Sequence, residues 1–468
     1  TEHSALPLLD KSGKVILAMA NPLDMDILMY LKSRFPDMGG VALVPKSQVQ
    51  SRLLYITDEF ESRNPSGNVV PEFIEYLLQR AVGEGASDIH MRFMYDGTLM
   101  VRLRVDGVLR QIPFPPSLKG RESEVAAAMM AKTTTMDSSN TREPQDGTFS
   151  FPVAGRSVDA RVGMLPQIAG PNITVRILDP LTLRRRLEEM GFDIDLVTSL
   201  RRAVASSAGC VLVVGPTGSG KTTTLYALLR EVDAVSRNVL TVEDPVEYRL
   251  PYVGQTQIRS DIGDRSLTFA RALRSILRQD PDVVLVGEIR DTDTAKVAME
   301  AAITGHLVLS TVHASSAPSA YTRLTEMGVP AYLVAEALSI VVSQRLVRQV
   351  HECCTVGPPT PDEQAILSRL GIEGVTQVAH PVGCIGCAGN GFRGRIAVAE
   401  ILAASPEIKG AIQSGLSREK ILEIAKKTGW RPMLSDAVRH LKAGRTTVSE
   451  INRAASVDDD STEEDNNG

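Results

Sequence analysis

Val101, Leu103 and Val105 alternate with Arg102 and Arg104, which predicts a strand with one apolar and one basic face. Asp106-Gly107 follows it as a hairpin turn signal. The same alternation returns in Ser157-Val158-Asp159-Ala160-Arg161-Val162 and in Ile173-Thr174-Val175-Arg176-Ile177, again with arginines on the polar side. Ahead of these strands Phe73, Ile74, Leu77, Leu78 and Ala81 recur at helical spacing behind Pro71. From about residue 187 to 328 the pattern becomes short continuous apolar runs at 211–214, 239–242, 283–286 and 307–312, separated by helical periods. That alternation predicts an open α/β sheet. Residues 329–456 read as mostly helical around an insertion rich in Cys and Gly.

These changes of period predict an organisation. Residues 1–60 form a small mixed module, with Val15-Ile16-Leu17 followed by Ile27, Leu28 and Leu31 at helical spacing. Residues 61–68, polar and carrying Pro65 and Gly67, read as a linker. An α+β domain spans 69–180 and ends at Asp179-Pro180, and an α/β domain spans 187–456 with the Cys-rich insertion at about 345–398. Residues 457–468 are predicted to be a disordered acidic tail.

Charge narrows the function. The 468 residues hold 51 Lys plus Arg and 56 Asp plus Glu, but Asp458, Asp459, Asp460, Glu463, Glu464 and Asp465 crowd the tail. The remaining 50 acids nearly balance the bases, which argues against attachment to nucleic acid by general phosphate attraction. Aromatic residues make up 4%, too few for a base-stacking platform. No apolar run approaches the ~18 residues of a membrane span, and no secretory signal opens the chain, so a soluble protein is expected.

Gly215-Pro216-Thr217-Gly218-Ser219-Gly220-Lys221-Thr222 matches the phosphate-loop pattern in full, between an apolar strand and a helix that Leu225, Leu228 and Leu229 mark. The glycines let successive backbone N–H groups face one concavity, and the following helix adds its positive end. Lys221 is predicted to reach the β- and γ-phosphates of ATP, and the Thr222 hydroxyl, with Thr223 beside it, to meet Mg²⁺. Hydrolysis also needs a carboxylate at a neighbouring strand end to orient water. Glu288, after Val283-Val284-Leu285-Val286-Gly287, is placed for this, and Glu243-Asp244 ends a second strand.

In these blocks the chain resembles the secretion and pilus-assembly ATPases, the type II secretion and type IV pilus extension motors. Four blocks carry the resemblance. They are the phosphate loop; Thr241-Val242-Glu243-Asp244-Pro245-Val246-Glu247-Tyr248, like the family's aspartate box; the stretch from Arg274 to Asp291, like its atypical Walker B; and Thr304-Gly305-His306-Leu307-Val308-Leu309-Ser310-Thr311-Val312-His313, like its histidine box. The resemblance implies a RecA-like P-loop NTPase motor domain preceded by a PAS-like α+β domain, with a helical carboxyl-terminal part carrying a metal-binding insertion. It implies a homo-hexamer with ATP between the amino-side domain of one copy and the motor domain of another. Arg161 and Arg176 then take γ-phosphate contacts, with Arg102 and Arg104 as nearby candidates, and His306 and His313 sense the γ-phosphate. Gly170-Pro171 departs from the family's Gly-Glu at a turn close to Arg176.

The resemblance further implies a structural zinc site. Five cysteines, Cys210, Cys353, Cys354, Cys384 and Cys387, make a poor disulfide framework. Cys384-Ile385-Gly386-Cys387 is one knuckle, and the family's second knuckle reads here His351-Glu352-Cys353-Cys354. The expected ligands are His351, Cys354, Cys384 and Cys387, with Cys353 or His380 as substitutes. The amino-terminal module, along Ala18-Met19-Ala20-Asn21-Pro22-Leu23-Asp24, is similar to part of the family's partner-binding domain but lacks an Arg-Leu-Gly-x-x-Leu stretch, so no cyclic di-GMP binding is expected. The function implied is ATP hydrolysis coupled to mechanical work on an inner-membrane platform protein. The protein is then cytoplasmic in a bacterium, indirectly attached to the inner membrane and independent of nucleic acid. A pilus retraction motor is the nearest alternative, a P-loop nucleic-acid translocase a more distant one, and an ATP-binding scaffold without turnover a third. Motor residues common to both machines do not separate secretion from pilus assembly.

Overall fold

A computed structural model describes residues 68–183, 185–258, 267–387 and 389–455, and the backbone of three strands near the amino terminus. These are β1 (Ala5–Leu9), β2 (Val15–Met19) and β3 (Gly40–Leu43), with β1 antiparallel and β3 parallel to β2. The expected helix around Ile27 and Leu31, most of the linker and the acidic tail lie outside the described residues. So does most of the stretch on which the cyclic di-GMP expectation rests. The chain divides into two compact units. One holds Thr1–Asp179 with Gln349–Gly357 and Ala379–Gly394, and the other Pro180–Arg348, Pro358–Val378 and Arg395–Gly468.

In the first unit the helix Val69–Gly83 buries Phe73, Ile74, Leu77, Leu78 and Ala81. Six strands follow: β4 (Ala86–Phe93), β5 (Leu99–Val105), β6 (Val108–Ile112), β7 (Gln145–Val153), β8 (Arg156–Gln167) and β9 (Gly170–Leu178). They form an antiparallel sheet in the order β6-β5-β4-β9-β8-β7. Leu99, Val101, Leu103 and Val105 are buried against the helices Val69–Gly83 and Glu122–Met130, each such side chain contributing about 1.5–3 kcal/mol. Asp106 and Gly107 both take positive φ, +51° and +83°, as a two-residue hairpin turn between β5 and β6 requires. One face of this PAS-like sheet is therefore apolar and covered. The other carries the arginines.

The second unit is built on β10 (Gly209–Val214), β11 (Val239–Glu243), β12 (Val253–Gln257), β13 (Val283–Val286), β14 (Leu307–Val312) and β15 (Leu338–Val350). After the short pair β16 (Thr355–Gly357) and β17 (Val378–His380), β18 (Phe392–Ala403) completes a seven-stranded sheet in the order β12-β11-β13-β14-β10-β15-β18. The five pairings from β12 to β15 are parallel. Every residue of β10, β13 and β14 is buried, as a parallel sheet covered on both faces demands. Along β10, Cys210, Leu212 and Val214 enter one core while Val211 and Val213 enter the other. This is a RecA-like α/β arrangement.

The carboxyl-terminal part supplies the helices Pro406–Gln413, Arg418–Lys427 and Met433–Lys442, but also the long strands β15 and β18. β15 follows the helix Ala331–Ala337 with no Gly or Pro between them, so the apolar pattern runs on unbroken. Its β-branched Ile340, Val341 and Val342 and its pairing with β10 make it a strand. Among the described residues no helix is long and apolar enough to cross a membrane.

Arg348, at the end of β15, clamps the buried Glu450: its Nε and Nη2 donate to Oε1 at 2.9 and 2.7 Å and its backbone N–H to Oε2 at 2.8 Å. Removing the guanidinium would leave Oε1 of this buried carboxylate without its two donors, with Arg453 still paired to Oε2 at 2.7 Å. Arg348→Met is expected to lower unfolding free energy by about 1–3 kcal/mol, since Arg453 still pairs with Glu450, and Arg348→Met with Glu450→Gln by less. Urea unfolding followed by the fluorescence of Trp430, the single tryptophan, measures both, and equal losses would discount the pair.

Candidate nucleotide site

Strands in a parallel sheet deliver their carboxyl ends to one edge, and the phosphate loop leaves β10 there. It runs from Gly215 to Gly220 and feeds the helix Lys221–Glu231. Gly215, Gly218 and Gly220 hold φ of +145°, +77° and +89°, conformations that a side chain resists. A Cβ on Gly215 would also lie 2.5 Å from the carbonyl oxygen of Gln344. Thr217, Gly218 and Thr222 are exposed, Pro216 and Thr223 are half-buried, and Ser219 is buried. The Lys221 ammonium donates to the carbonyls of Gly215 at 2.8 Å and Pro216 at 3.0 Å. Burial lowers its pKa, and the Glu288 carboxylate opposes that shift.

Glu288 stands just past β13 at the same edge. Gly287 donates to the Val242 carbonyl at 2.8 Å, and Ile289 to that of Thr311 at 2.9 Å, so the backbone on both sides of Glu288 is fixed by neighbouring strands. Its carboxylate, 16% exposed, pairs with Arg290 and lies 4.0 Å from Nε2 of His313. Burial, and then the Lys221 cation, lower the pKa of His313, so the imidazole is neutral at neutral pH. Phosphate loop, Glu288 and His313 therefore gather at one edge. Arg290 was not singled out from the sequence, although it lies inside the Gly-Glu-Ile-Arg-Asp block. Asp291 of that block caps the helix Thr292–Ile303 by accepting from Thr294 N–H at 2.8 Å.

Two expected site residues stand differently. His306 precedes β14 and His313 follows it, so about 20 Å of strand separates them. His306 lies at the amino edge of the sheet, where its Nδ1 meets the Ala301 carbonyl at 3.0 Å. The γ-phosphate role therefore does not extend to His306 within one chain, because its strand end is opposite to the loop. Glu243 is buried, and its carboxylate accepts from Tyr226 Oη, from Thr241 Oγ1 at 2.5 Å and from Gln255 Nε2 at 3.1 Å. Burial and the adjoining carboxylate raise the Tyr226 pKa, which keeps that phenol a donor. With three donors engaged, Glu243 ties β11 to the phosphate-loop helix and to β12.

In the first unit Arg161 of β8 and Arg176 of β9 are register partners, and Arg176 in turn faces Asp88 of β4. Arg176 Nε donates to Asp88 Oδ1 at 3.1 Å, and Arg104 Nε lies 3.8 Å from Oδ2. Asp88 is buried, while the Arg176 side chain is 67% exposed. A row of cations thus crosses the face of the sheet opposite its apolar core, held by a carboxylate that pattern reading missed.

The cysteines also come together. The ligand atoms of His351, Cys353, Cys384 and Cys387 lie within 4.8 Å of one another. Cys353 Sγ is 3.6 Å from Cys387 Sγ, Cys387 Sγ is 3.8 Å from Cys384 Sγ, and Cys384 Sγ is 3.5 Å from His351 Nδ1. A tetrahedron with zinc–thiolate bonds of ~2.3 Å has edges of roughly 3.8 Å, so the four donors fit a zinc ion. The expected set named Cys354. Its thiol instead donates to the Gly391 carbonyl at 3.1 Å, and Cys353 takes its place. His380 stands outside the group. Burial pushes the Cys353 thiol up to about 12. Cys387 is lowered although burial opposes it, because backbone N–H groups of Cys384 and Gly391 point at its sulfur. Cys353→Ser is expected to lower zinc content at least several-fold while Cys354→Ser leaves it unchanged. Elemental analysis of protein purified without added metal checks this, and the reverse order would reinstate Cys354.

The type II/IV secretion system protein family matches residues 64–453. Type II secretion system protein E of Pectobacterium carotovorum is 41% identical over 381 residues, 81% of this chain and 74% of that protein. Type II secretion system protein HxcR of Pseudomonas aeruginosa is 38% identical over 441 residues, 92% of this chain and 88% of its own. The type IV pilus assembly ATPase PilB of Thermus thermophilus is 38% identical over 384 residues, which cover 81% of this chain and 42% of PilB. Two solved structures share the fold. The ATPase DotB of Legionella pneumophila has a TM-score of 0.58 at 22% identity, covering 82% of this chain and 96% of DotB. The pilus retraction motor PilT with bound ADP has a TM-score of 0.55 at 24% identity, covering 81% of this chain and 96% of PilT. With four sequence blocks in order and a match across most of its length, the chain belongs to the type II/IV secretion system protein family.

Proposed function

We propose that the chain is the ATPase motor of a type II secretion or type IV pilus assembly machine. The observation that carries this reading is the meeting of the phosphate loop, Glu288 and His313 at one edge of the sheet. Lys221 would exchange the Gly215 and Pro216 carbonyls for β- and γ-phosphate oxygens, and the loop amides would hold the remaining phosphate charge. Glu288 would accept a hydrogen bond from the attacking water once Arg290 yields one carboxylate oxygen. His313, neutral and next to that carboxylate, would report the γ-phosphate to the end of β14. Mg²⁺ bound by Thr222 and the phosphates would supply charge neutralisation at the transferring group.

Arg161 and Arg176 are proposed to complete the site from a neighbouring copy. Their planar forks suit bidentate contact with phosphate oxygens, and Arg176 would leave Asp88 to make it. The assembly would be a homo-hexamer that acts on an inner-membrane platform protein and reaches the bacterial inner membrane through it. The zinc module would be structural. Identities of 38–41% to secretion and pilus-assembly proteins support the extension and secretion reading.

Glu288→Gln is expected to bind ATP with affinity near that of the parent chain and to release phosphate about 10²–10⁴-fold more slowly. A phosphate-release assay beside an ATP titration measures both, and near-normal turnover would remove Glu288 from the mechanism. Turnover per chain is expected to rise with protein concentration as copies assemble, and Arg176→Ala to blunt that rise. Light scattering with parallel rate measurements tests the shared site; a rate independent of assembly would refute it.

A further inference from the structure

We infer that Gln344, midway along β15 beside the phosphate loop, is a positioning residue that sets the loop's anion-binding shape. The inference rests on the reading of this loop as the nucleotide site. β15 runs parallel to β10 with Val214 opposite Ser343, so the next residue, Gln344, stands level with Gly215 where the loop begins. Its side chain is wholly buried. Nε2 donates to the carbonyl of Ser219 at 2.7 Å, and Oε1 accepts from Thr224 Oγ1 at 2.7 Å. The amide orientation follows from chemistry, since a carbonyl only accepts and must face the nitrogen.

One side chain thus joins the far limb of the loop to the first turn of the helix that follows. It also forms the floor on which the glycines sit. A Cβ on Gly215 would lie 2.5 Å from the Gln344 carbonyl oxygen, and one on Gly220 3.1 Å from Nε2. Among the described residues the buried Ser219 hydroxyl has no hydrogen-bond partner, so it does not share the work of the amide. The rim is held separately, through Lys221 to the carbonyls of Gly215 and Pro216. Without the Gln344 amide the buried Ser219 carbonyl would lose this donor, and the limb would be free to turn toward another one. The N–H groups of that limb are those that must converge on phosphate, so their aim, and hence nucleotide affinity, depends on Gln344.

Gln344→Met keeps length and bulk but removes both hydrogen bonds, whereas Thr224→Val removes only the second. The test is ADP affinity by calorimetry, with KM and kcat for ATP, on the full chain and on both single variants and the double variant. Gln344→Met is expected to raise the ADP dissociation constant about tenfold and Thr224→Val about threefold, with the loss falling mainly on KM rather than kcat. Because the Thr224 bond acts through Gln344, adding Thr224→Val to Gln344→Met is expected to weaken binding no further. Unchanged ADP affinity in Gln344→Met, or losses that multiply in the double variant, would overturn the brace. If Gln344→Met does not fold, Thr224→Val decides, and unchanged affinity there overturns it too. Failure of the parent chain to bind ADP would instead overturn the nucleotide-site reading.

Discussion

A parallel sheet buried on both faces has only its ends on which to place chemistry. In β10, β13 and β14 every side chain goes into one core or the other, so none is left to meet a ligand. What the strands deliver at their carboxyl ends becomes the site. β10 delivers the phosphate loop, β13 Glu288 and β14 His313, while Gln344 stands midway along β15, level with the start of that loop. The spatial order β11-β13-β14-β10-β15 sets these groups side by side although they are scattered over more than a hundred residues of chain. The same polarity sets His306, at the start of its strand, away from this edge within one chain.

The first unit solves a different problem. Its antiparallel sheet is covered on one face only, and the alternation that buries Leu103, Val162 and Val175 sends Arg104, Arg161 and Arg176 to the other. Three cations in one row would repel one another, and buried Asp88 between Arg104 and Arg176 offsets that repulsion. The carboxylate also orients the Arg176 fork.

Local features were legible in the sequence and distant ones were not. The phosphate loop, the strand before Glu288 and the alternating arginines are visible because their spacing lies within a dozen residues. Gln344 and Asp88 act on partners 120 and 88 positions away, and no window shows such a pairing. Glu243 looked catalytic because it ends a strand beside the loop, but its donors Tyr226 and Gln255 come from other elements. Cys353 and Cys354 are adjacent, so spacing alone allows either to join the knuckle. The turn after β15 aims one inward and the other at Gly391. The division between His306 and His313 could have been read, since a six-residue strand between them already placed them at opposite ends.

Three of the polar groups proposed to act on the triphosphate share one property, which is that each already has a protein partner. Lys221 holds two loop carbonyls, Glu288 holds Arg290, and Arg176 holds Asp88. For Lys221 and Arg176, contact with phosphate is then an exchange of one set of hydrogen bonds for another, so its net free energy is far smaller than the gross attraction of the charges. A motor requires that balance. If these cations faced the ligand with no alternative partner, the ligand would bind too tightly to leave, and each cycle would stop at product release. Gln344 belongs to the other side of the balance. Its two bonds stay within the protein whatever the loop holds, so it preserves the shape of the cradle while the charged groups around it change partners.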